Sequence, residues 1–322
     1  MRQNLIGIDI GGTKCAITYG VSEGAKLTVK DKLRFDTTTV QDTIENILQG
    51  VSKIMEANKL SKDNVAAVGV SCGGPLSSVE GVVMSPPNLP GWDNIPIVKI
   101  LEERFGIRAA LQNDANACAL AEWKFGAGAG TRNMAFLTFG TGLGAGLVID
   151  GRLFAGTNDN AGEVGHLRLA DYGPVGYGKA GSFEGFCSGS GIAQLAQTAV
   201  REKMQMGERP ALLPVSGLVE EITAKDVSEA AAGGDALALD VMRTSGEQLG
   251  RGLSILIDIL NPEVIVIGSI YARAEKLLAP HCQRIIEREA LPLSRRVCRV
   301  VPAALGEEIG DMAALSVAAN AI

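Results

Sequence analysis

The sequence has few aromatic residues, no paired cysteines and no excess of positive charge. Aromatic residues make up 4% of its 322 residues and hydrophobic residues 46%, so we expect cores built from Ala, Val, Ile and Leu. Asp and Glu number 36 against 30 Lys and Arg, which gives a net charge of -6. A chain without a basic stripe is poorly suited to nucleic acid or an anionic membrane. The composition therefore favours a small-molecule partner.

The cysteines and the apolar runs argue against secretion and membrane insertion. The six cysteines are scattered and form no Cys-x-x-Cys pair; they are Cys15, Cys72, Cys118, Cys187, Cys282 and Cys298. The apolar stretch near the start is interrupted at Asp9, which is too early for a signal peptide or a membrane-spanning helix. We therefore expect a cytoplasmic protein with reduced thiols.

The length and an internal repeat predict two related domains. A chain of 322 residues exceeds the roughly 250 to 300 at which single cores stop growing. Residues 133–142 repeat the pattern of residues 4–13, which is an apolar strand, a polar residue, an apolar residue and a turn of small residues. We infer an internal duplication. The expected domains are residues 1–125, joined by a C-terminal helix over 306–322, and residues 126–305, with a hinge near the glycines at 126–130.

Periodicity predicts alternating strands and helices. Strands are expected at residues 5–10, 15–19, 65–70, 109–112, 134–139, 145–149, 264–267 and 297–301. Helices are expected at residues 41–58, 97–105, about 190–204, 236–260, 271–289 and 311–319, with one more following Asp114. The first two strands form a hairpin around the glycines at 11 and 12, and the glycine-rich region 156–191 has too few periodic apolar residues to be a helix.

Asp114 lies between a predicted strand and the first turn of an Ala-rich helix. This position suits a catalytic base. A carboxylate at a helix start also accepts hydrogen bonds from unpaired backbone N–H groups, and the pattern taken alone favours an N-cap. Two glycine turns and a polar loop elsewhere in the chain favour the catalytic interpretation.

The two glycine turns predict phosphate binding. At residues 11–13 and 140–142, glycine lets backbone N–H groups approach a phosphate, and Thr13 or Thr141 adds a hydroxyl donor. Neither turn matches a P-loop or a dinucleotide-binding fingerprint, and either one alone is equally an ordinary turn. Together they would hold ATP from two sides. Asp9, just before the first turn, would hold the water shell of Mg²⁺, orient the γ-phosphate, or cap its own turn.

Several segments, in their order and spacing, resemble the ROK family of sugar kinases and related repressors. These segments are residues 9–14, 87–92, 113–116, 140–144 and 161–166. The resemblance covers essentially the whole chain. It implies an α/β fold of the duplicated actin-like, ribonuclease-H-like type, with ATP and sugar bound in a cleft between the two halves.

The resemblance also implies roles for individual residues. Asp114 would be the base on the sugar hydroxyl, and the substrate would contact Gly74, Asn88, Asn113, Asp114, Glu163, His166 and Glu184. ATP and Mg²⁺ would be bound by Asp9, Gly11, Gly12, Thr13, Lys14, Gly140, Thr141, Gly142 and Gly268. The expected partners are a sugar and a second copy of the chain, with no nucleic acid and no membrane. The alternative is that Asn88, Asn113, Glu163 and Glu184 are ordinary polar residues of the protein surface that bind no substrate.

The chain departs from the family at two places. Most ROK members carry a zinc-binding cysteine cluster after the histidine that corresponds to His166. In this chain the three cysteine positions are occupied by Gly176, Gly178 and Ser182. His166 alone cannot hold Zn²⁺, which takes about four N or S ligands, so no structural zinc is expected and His166 is either a sugar ligand or a packed histidine. Ser269 replaces a usual second glycine after Gly268, at what resembles the adenosine pocket.

Three function classes follow. The first is an ATP-dependent kinase acting on the 6-OH of a hexose or N-acetylhexosamine, such as glucose, N-acetylmannosamine or N-acetylglucosamine. The second is a sugar-responsive repressor, which the acidic charge and the early first hairpin disfavour. The third is a sugar-binding protein without turnover, which the missing cysteines and Ser269 favour and the retained Asp9 and Asp114 oppose.

Overall fold

The computed structural model describes residues 2–322 as alternating strands and helices. The first half contains β1 (Arg2–Ile10), β2 (Lys14–Glu23), β3 (Lys26–Asp36), α1 (Val40–Ala57), β4 (Val65–Cys72), β5 (Leu76–Ser77), β6 (Val82–Val83), α2 (Ile97–Phe105), β7 (Ala109–Asn113) and α3 (Asp114–Phe125). The second half contains β8 (Met134–Phe139), β9 (Leu143–Ile149), β10 (Arg152–Phe154), β11 (Val175–Gly176), β12 (Lys179–Ala180), α4 (Phe183–Phe186), α5 (Gly189–Gln205), α6 (Ala224–Ala232), α7 (Ala236–Leu260), β13 (Val264–Ile267), α8 (Ile270–Glu289), α9 (Pro292–Val297), β14 (Arg299–Pro302) and α10 (Ile309–Asn320).

The first sheet has five strands in the order β3-β2-β1-β4-β7. β2 is antiparallel to both β1 and β3, whereas β4 is parallel to β1 and β7 is parallel to β4. In this register Asp9 lies opposite Ala16 on one side and Ser71 on the other. The predicted hairpin at the start of the chain is confirmed, and the carboxyl ends of β1 and β4 lie side by side.

The second sheet repeats this plan in the order β10-β9-β8-β13-β14. β10 is antiparallel to β9, and β13 is parallel to both β8 and β14. The two glycine turns therefore occupy equivalent places, between the first two strands of each repeat. The expected duplicated α/β fold is confirmed.

The chain divides into two compact units. One runs to Arg132 and also contains Gly146–Ala161 and Ala304–Ile322; the other contains Asn133–Ala145 and Gly162–Ala303. The C-terminal helix α10 belongs to the first unit, where it packs on β1, β4 and α3. Among the helices of residues 2–322, none has the length and apolar character needed to span a bilayer.

Glycines on one face of the first sheet let α10 pack closely against it. A Cβ at Gly69 would lie 2.2 Å from the carbonyl oxygen of Ala314, and one at Gly7 would lie 2.8 Å from a backbone nitrogen of α10. Asp9 and Ser71 each follow one of these glycines by two positions, so they face the same side of the sheet. The opposite face packs on α1 and α2. The packing of α10 therefore places its first turn near Asp9.

Glu122 near the end of α3 connects distant parts of the first unit. Its side chain is fully buried. Its carboxylate accepts backbone N–H groups from Ala127 at 2.7 Å, Ala304 at 3.2 Å and Leu305 at 2.9 Å. A buried carboxylate is tolerated when such donors replace its hydration. Glu122 thus fastens the segment before α10 to α3.

Several elements were not predicted, including β3, α6 and α9. The region 156–191, where no helix was expected, contains α4, a single turn that Ser182 caps. One strand boundary was also wrong. Strand β3 was not assigned because its charged residues give a weak apolar pattern. Helix α6 begins with a capping box between Thr223 and Asp226, a sequence signal that would have located it. The strand expected at 297–301 begins instead at Arg299, because Val297 ends α9.

Candidate active site

Asp114 is the first residue of α3, and the N-cap is Asn113. Asn113 has an extended backbone, and its side-chain oxygen accepts the amide N–H of Asn116 at 2.7 Å. One Asp114 oxygen accepts the N–H of Ala115 at 2.8 Å. The N-cap interpretation of Asp114 is therefore wrong, because the preceding residue caps the helix. The N–H₂ group of the Asn113 side chain is not used by the cap.

Asp114 is exposed to solvent on one side, although protein atoms surround its carboxyl group closely on the others. This crowding removes hydration and raises the pKa of Asp114, while the hydrogen bond from Ala115 opposes the shift. Asp9 is close enough for the charge of Asp114 to raise the pKa of Asp9. The structure therefore brings these two predicted carboxylates together, with Asp114 open to solvent.

The second carboxylate, Asp9, faces charged groups from several elements. Burial raises the pKa of Asp9 to about 6, and the charges of Asp114 and Asp311 add to the shift. Lys32 and a hydrogen bond with Ser71 oppose it. Lys32 itself forms an ion pair with Asp311 in the first turn of α10. The sequence did not indicate this pair, whose members lie 279 positions apart.

The first glycine turn is held from outside by Thr37. The Thr37 hydroxyl donates to the carbonyl oxygen of Gly11 at 2.6 Å, and its backbone N–H donates to that of Thr13 at 2.9 Å. The N–H of Gly11 donates to the Lys14 carbonyl at 3.1 Å, so it closes the turn and is not open to a phosphate. The two groups of one trans peptide point in opposite directions, so the bonded Gly11 carbonyl directs the N–H of Gly12 away from Thr37. No acceptor within residues 2–322 takes that N–H.

Asn88 and the glycines after β4 surround this turn. A Cβ at Gly12 would lie 2.4 Å from the carbonyl oxygen of Asn88, and one at Gly73 would lie 3.3 Å from its side-chain oxygen. Glycine is therefore needed at position 12 for the close approach of Asn88. Gly74 and Lys14 are exposed beside these residues in the chain.

The second glycine turn is held in a similar way by the start of α5. The N–H of Gly189 donates to the Gly140 carbonyl at 2.7 Å, and the Ser190 hydroxyl donates to the Thr141 carbonyl at 3.1 Å. The N–H of Gly140 donates to Gly142 at 3.1 Å and is also occupied. The carbonyls of Gly140 and Thr141 point towards the start of α5, so the N–H groups of Thr141 and Gly142 point away from it. Both turns therefore expose amide donors from their central residues, which is the arrangement an anion requires.

Glu184 lies directly against the second turn. Its Oε2 atom accepts the N–H of Leu143 at 2.9 Å, and a Cβ at Gly142 would lie 2.8 Å from the same oxygen. Neither Gly140 nor Gly142 has a positive φ. The glycine at 142 is therefore explained by the close approach of Glu184 and not by an unusual backbone conformation.

Glu163 comes directly before a 3₁₀ turn, Val164–His166, and His166 is its last residue. Both residues are exposed. Gly165 packs so closely that a Cβ there would lie 2.2 Å from the carbonyl oxygen of Leu143 and 3.2 Å from the Cβ of Glu184. The structure thus brings Glu163, His166 and Glu184 together near the second turn. Two carboxylates and an imidazole can accept and donate hydrogen bonds to several hydroxyl groups of one ligand.

The positions that correspond to the zinc cysteines have other roles. A Cβ at Gly176 would lie 2.6 Å from the backbone nitrogen of Gly185, and Gly178 has φ 76°. Ser182 caps α4 by accepting the N–H of Gly185 at 3.0 Å. A cysteine at position 176 would therefore require the backbone to move. The described residues contain no group of three or more His, Cys, Asp or Glu side chains placed to hold a metal ion.

Gly268 and Ser269 connect β13 to α8. The N–H of Gly268 donates to the Leu137 carbonyl at 3.0 Å. Ser269 has φ 52° and ψ -114°, and its side chain makes no capping hydrogen bond. Its hydroxyl oxygen lies 3.8 Å from the position of a Cβ on Gly140, so it faces the second turn. Ser269 thus has a backbone conformation that glycine adopts far more easily.

We expect Ser269→Gly to raise the free energy of unfolding by about 1 kcal/mol, because glycine adopts this φ without strain. The melting temperature should rise by roughly 1.5 °C for a chain of this size. Ser228→Gly is the matched control: Ser228 lies inside α6, where glycine should lower stability by roughly 0.5–1 kcal/mol. Scanning calorimetry of both variants measures the difference, and a lower melting temperature for Ser269→Gly would contradict the strain.

Comparison with known proteins places these residues in a family context. A model described as the ROK family matches residues 5–321. The chain is 32% identical over 311 residues to a protein named glucokinase from Halalkalibacterium halodurans, covering 95% of this chain and 92% of that one.

Solved structures include both enzymes and regulators. A ROK family glucokinase from Streptomyces griseus, in complex with glucose and AMPPNP, is 30% identical with a TM-score of 0.75, covering 98% of this chain and 99% of that one. A ROK family transcriptional regulator, described as a homologue of the Escherichia coli Mlc protein, is 27% identical with a TM-score of 0.84. That match covers 99% of this chain and 78% of the regulator.

Proposed function

The chain belongs to the ROK family, and from this premise we propose that it is an ATP-dependent sugar kinase. It transfers the γ-phosphate of ATP to a sugar hydroxyl, the 6-OH of a hexose or N-acetylhexosamine, with glucose as the first candidate. The observation that carries the proposal is Asp114, a solvent-open carboxylate that the helix does not use as its cap. The glucokinases among its relatives support the same activity.

Asp114 acts as the general base. Phosphoryl transfer needs positioning, charge stabilisation and one carboxylate that accepts the hydroxyl proton as the new bond forms. The crowding that raises the pKa of Asp114 makes it a better proton acceptor. Asn113 donates its side-chain N–H₂ to the sugar, because the helix cap uses its oxygen and leaves the N–H₂ free. Asn88 and Gly74 complete the sugar contacts contributed by the first unit.

The two glycine turns bind the phosphates of ATP through their outward amides. Gly12 contributes from the first turn, with the Thr13 hydroxyl and Lys14 adding donors and positive charge. Asp9 fits Mg²⁺, because a half-buried carboxylate crowded by Asp114 gains from a cation beside it. Mg²⁺ bound with ATP would neutralise the charge of the phosphates.

Residues of the second unit have corresponding proposed roles. Thr141 and Gly142 donate their amides to phosphate, and Gly268 borders the nucleotide. Glu163, His166 and Glu184 hydrogen-bond sugar hydroxyls, and Glu184 is held in place for this by the N–H of Leu143. We also propose a homodimer in the cytoplasm, as expected from the family resemblance.

The alternative function is a repressor without turnover, because a ROK family transcriptional regulator has a similar fold. The observation that favours the kinase is the pairing of Asp114 with Asp9, because binding a neutral sugar does not need a second carboxylate next to the first. The test is ADP release by the purified chain with ATP, Mg²⁺ and a panel of sugars. The panel contains glucose, mannose, fructose, allose, N-acetylglucosamine, N-acetylmannosamine and a β-glucoside. ADP release that depends on one of these sugars is the expected result, and none with any sugar would contradict the kinase.

Chelation should separate structural metal from catalytic metal. Structural zinc contributes folding free energy directly. With Gly176, Gly178 and Ser182 at the cysteine positions, we expect a strong chelator to leave the melting temperature of the nucleotide-free protein unchanged. The same chelator should stop turnover, and added Mg²⁺, but not Zn²⁺, should restore it. About one zinc per chain by elemental analysis, lost together with stability on chelation, would contradict this.

A further inference from the structure

The hairpin of β11 and β12 has an unusual residue at its tip. Its two-residue turn consists of Tyr177 with φ 44° and Gly178 with φ 76°. A hairpin turn with two positive φ values normally takes Asn, Asp or Gly, because a Cβ in the left-handed region is strained. A large aromatic side chain at position 177 is therefore unfavourable for the turn itself. Strain of this kind is kept where the side chain has another role.

The hairpin is firmly attached to the predicted sugar-binding residues. The side chain of Gln194 forms two hydrogen bonds with the backbone of Val175, each 2.9 Å long. Lys179 donates its Nζ to the carbonyl oxygen of His166 at 2.6 Å. A Cβ at Gly176 would lie 2.8 Å from the Cβ of Glu184, so the hairpin rests directly on that residue. The tip is therefore held beside His166 and Glu184.

The ring of Tyr177 contacts His166 and leaves most of its surface open. The two ring centroids are 5.2 Å apart and the ring planes are inclined by 81°, which is an edge-to-face contact. Tyr177 is nonetheless 76% exposed. An aromatic ring that is fixed at one edge and otherwise uncovered has a large apolar surface available to a ligand.

We propose that Tyr177 is a specificity-determining residue whose ring packs against the bound sugar on the side that His166 contacts. This inference rests on the proposed sugar-binding function of His166 and Glu184. The apolar C–H face of a pyranose or the methyl of an N-acetyl group matches the ring, while the hydroxyls are left to the carboxylates. The phenol hydroxyl is not required for this contact.

Two substitutions separate the ring from the turn. Tyr177→Asn removes the ring and supplies a residue that favours the left-handed conformation, so the hairpin should be as stable as before or more stable. Tyr177→Phe keeps the ring and loses only the hydroxyl. Tyr172 is the matched control, because it is 87% exposed in the same loop region and makes no ring contact among the described residues.

The experiment measures sugar affinity directly, without ATP, from the rise in melting temperature with the best sugar of the panel, and then the KM values for sugar and ATP. For Tyr177→Asn we expect sugar affinity to fall about 3- to 10-fold, the size typical of an aromatic contact. Its KM for ATP and its melting temperature without sugar should not worsen. Tyr177→Phe and Tyr172→Asn should remain within about twofold of the wild type.

The outcomes distinguish this inference from the proposed function. If the wild-type protein responds to a sugar and Tyr177→Asn responds equally, Tyr177 has no contact with the ligand and the inference fails alone. If Tyr177→Asn loses stability without sugar, the ring is a structural part of the hairpin and the inference also fails. If the wild-type protein responds to no sugar at all, the proposed function fails and this inference fails with it.

Discussion

Replacing Asp114 with Asn is expected to lower turnover by about 100-fold or more, the usual worth of a general base, while the protein stays folded. The amide has nearly the same shape, and its oxygen can still accept the N–H of Ala115. The helix start should be unaffected, because the N-cap is Asn113. Loss of the charge that raises the pKa of Asp9 should leave stability at neutral pH unchanged or slightly higher.

The control for Asp114→Asn is Asp42→Asn. Asp42 also lies in the first turn of a helix, where it hydrogen-bonds to the capping residue Thr39. This variant makes the same chemical change in a comparable local setting and should keep full turnover. Steady-state kinetics at saturating sugar and ATP measures both variants. An Asp114→Asn enzyme with wild-type turnover would show that Asp114 is not the base.

Replacing Glu122 with Ala is expected to lower the free energy of unfolding by about 4 kcal/mol. The change leaves the backbone N–H groups of Ala127, Ala304 and Leu305 without their acceptor and opens a cavity at the buried Glu122 side chain. The melting temperature should fall by roughly 6 °C for a chain of this size. Calorimetry or chemical denaturation at neutral pH measures the effect.

Two further variants test the reason for this loss. Glu122→Gln keeps the volume and one good acceptor, so it should lose clearly less stability than Glu122→Ala. Glu103→Ala removes a highly exposed glutamate of α2 that pairs with Lys99, and it should change stability by less than about 0.5 kcal/mol. Equal stability of Glu122→Ala and Glu103→Ala would show that the Glu122 hydrogen bonds do not hold the C-terminal segment.

The elements that the sequence predicted well are those with local signals. The glycine turns and the strands beside them show short-range alternation of apolar and small residues, and the first hairpin formed as expected. The internal repeat extended this to the whole fold, because the same strand order recurs in both sheets. The start of the helix at Asp114 was also predicted. Its cap was assigned to the wrong neighbour because Asn and Asp are almost equally good capping residues.

The details that the sequence did not predict depend on distant contacts. Thr37, just after β3, holds the first glycine turn, and Ser190 in α5 holds the second. Lys32 meets Asp311 only because glycines in the first sheet let α10 pack closely. No local pattern encodes such pairs. They nevertheless decide which amide groups are open and how much charge surrounds Asp9.

Transfer of label from ATP to sugar is the most direct test of the proposed sugar kinase activity. Purified protein is incubated with γ-³²P-labelled ATP, Mg²⁺ and glucose or the best sugar of the panel, and the sugar phosphate is separated from inorganic phosphate and ADP. For the wild-type protein we expect one labelled sugar phosphate for each ADP formed, with the phosphate on the 6-OH. For Asp114→Asn we expect almost no labelled sugar phosphate. Sugar binding without labelled product, or label released only as inorganic phosphate, would contradict it.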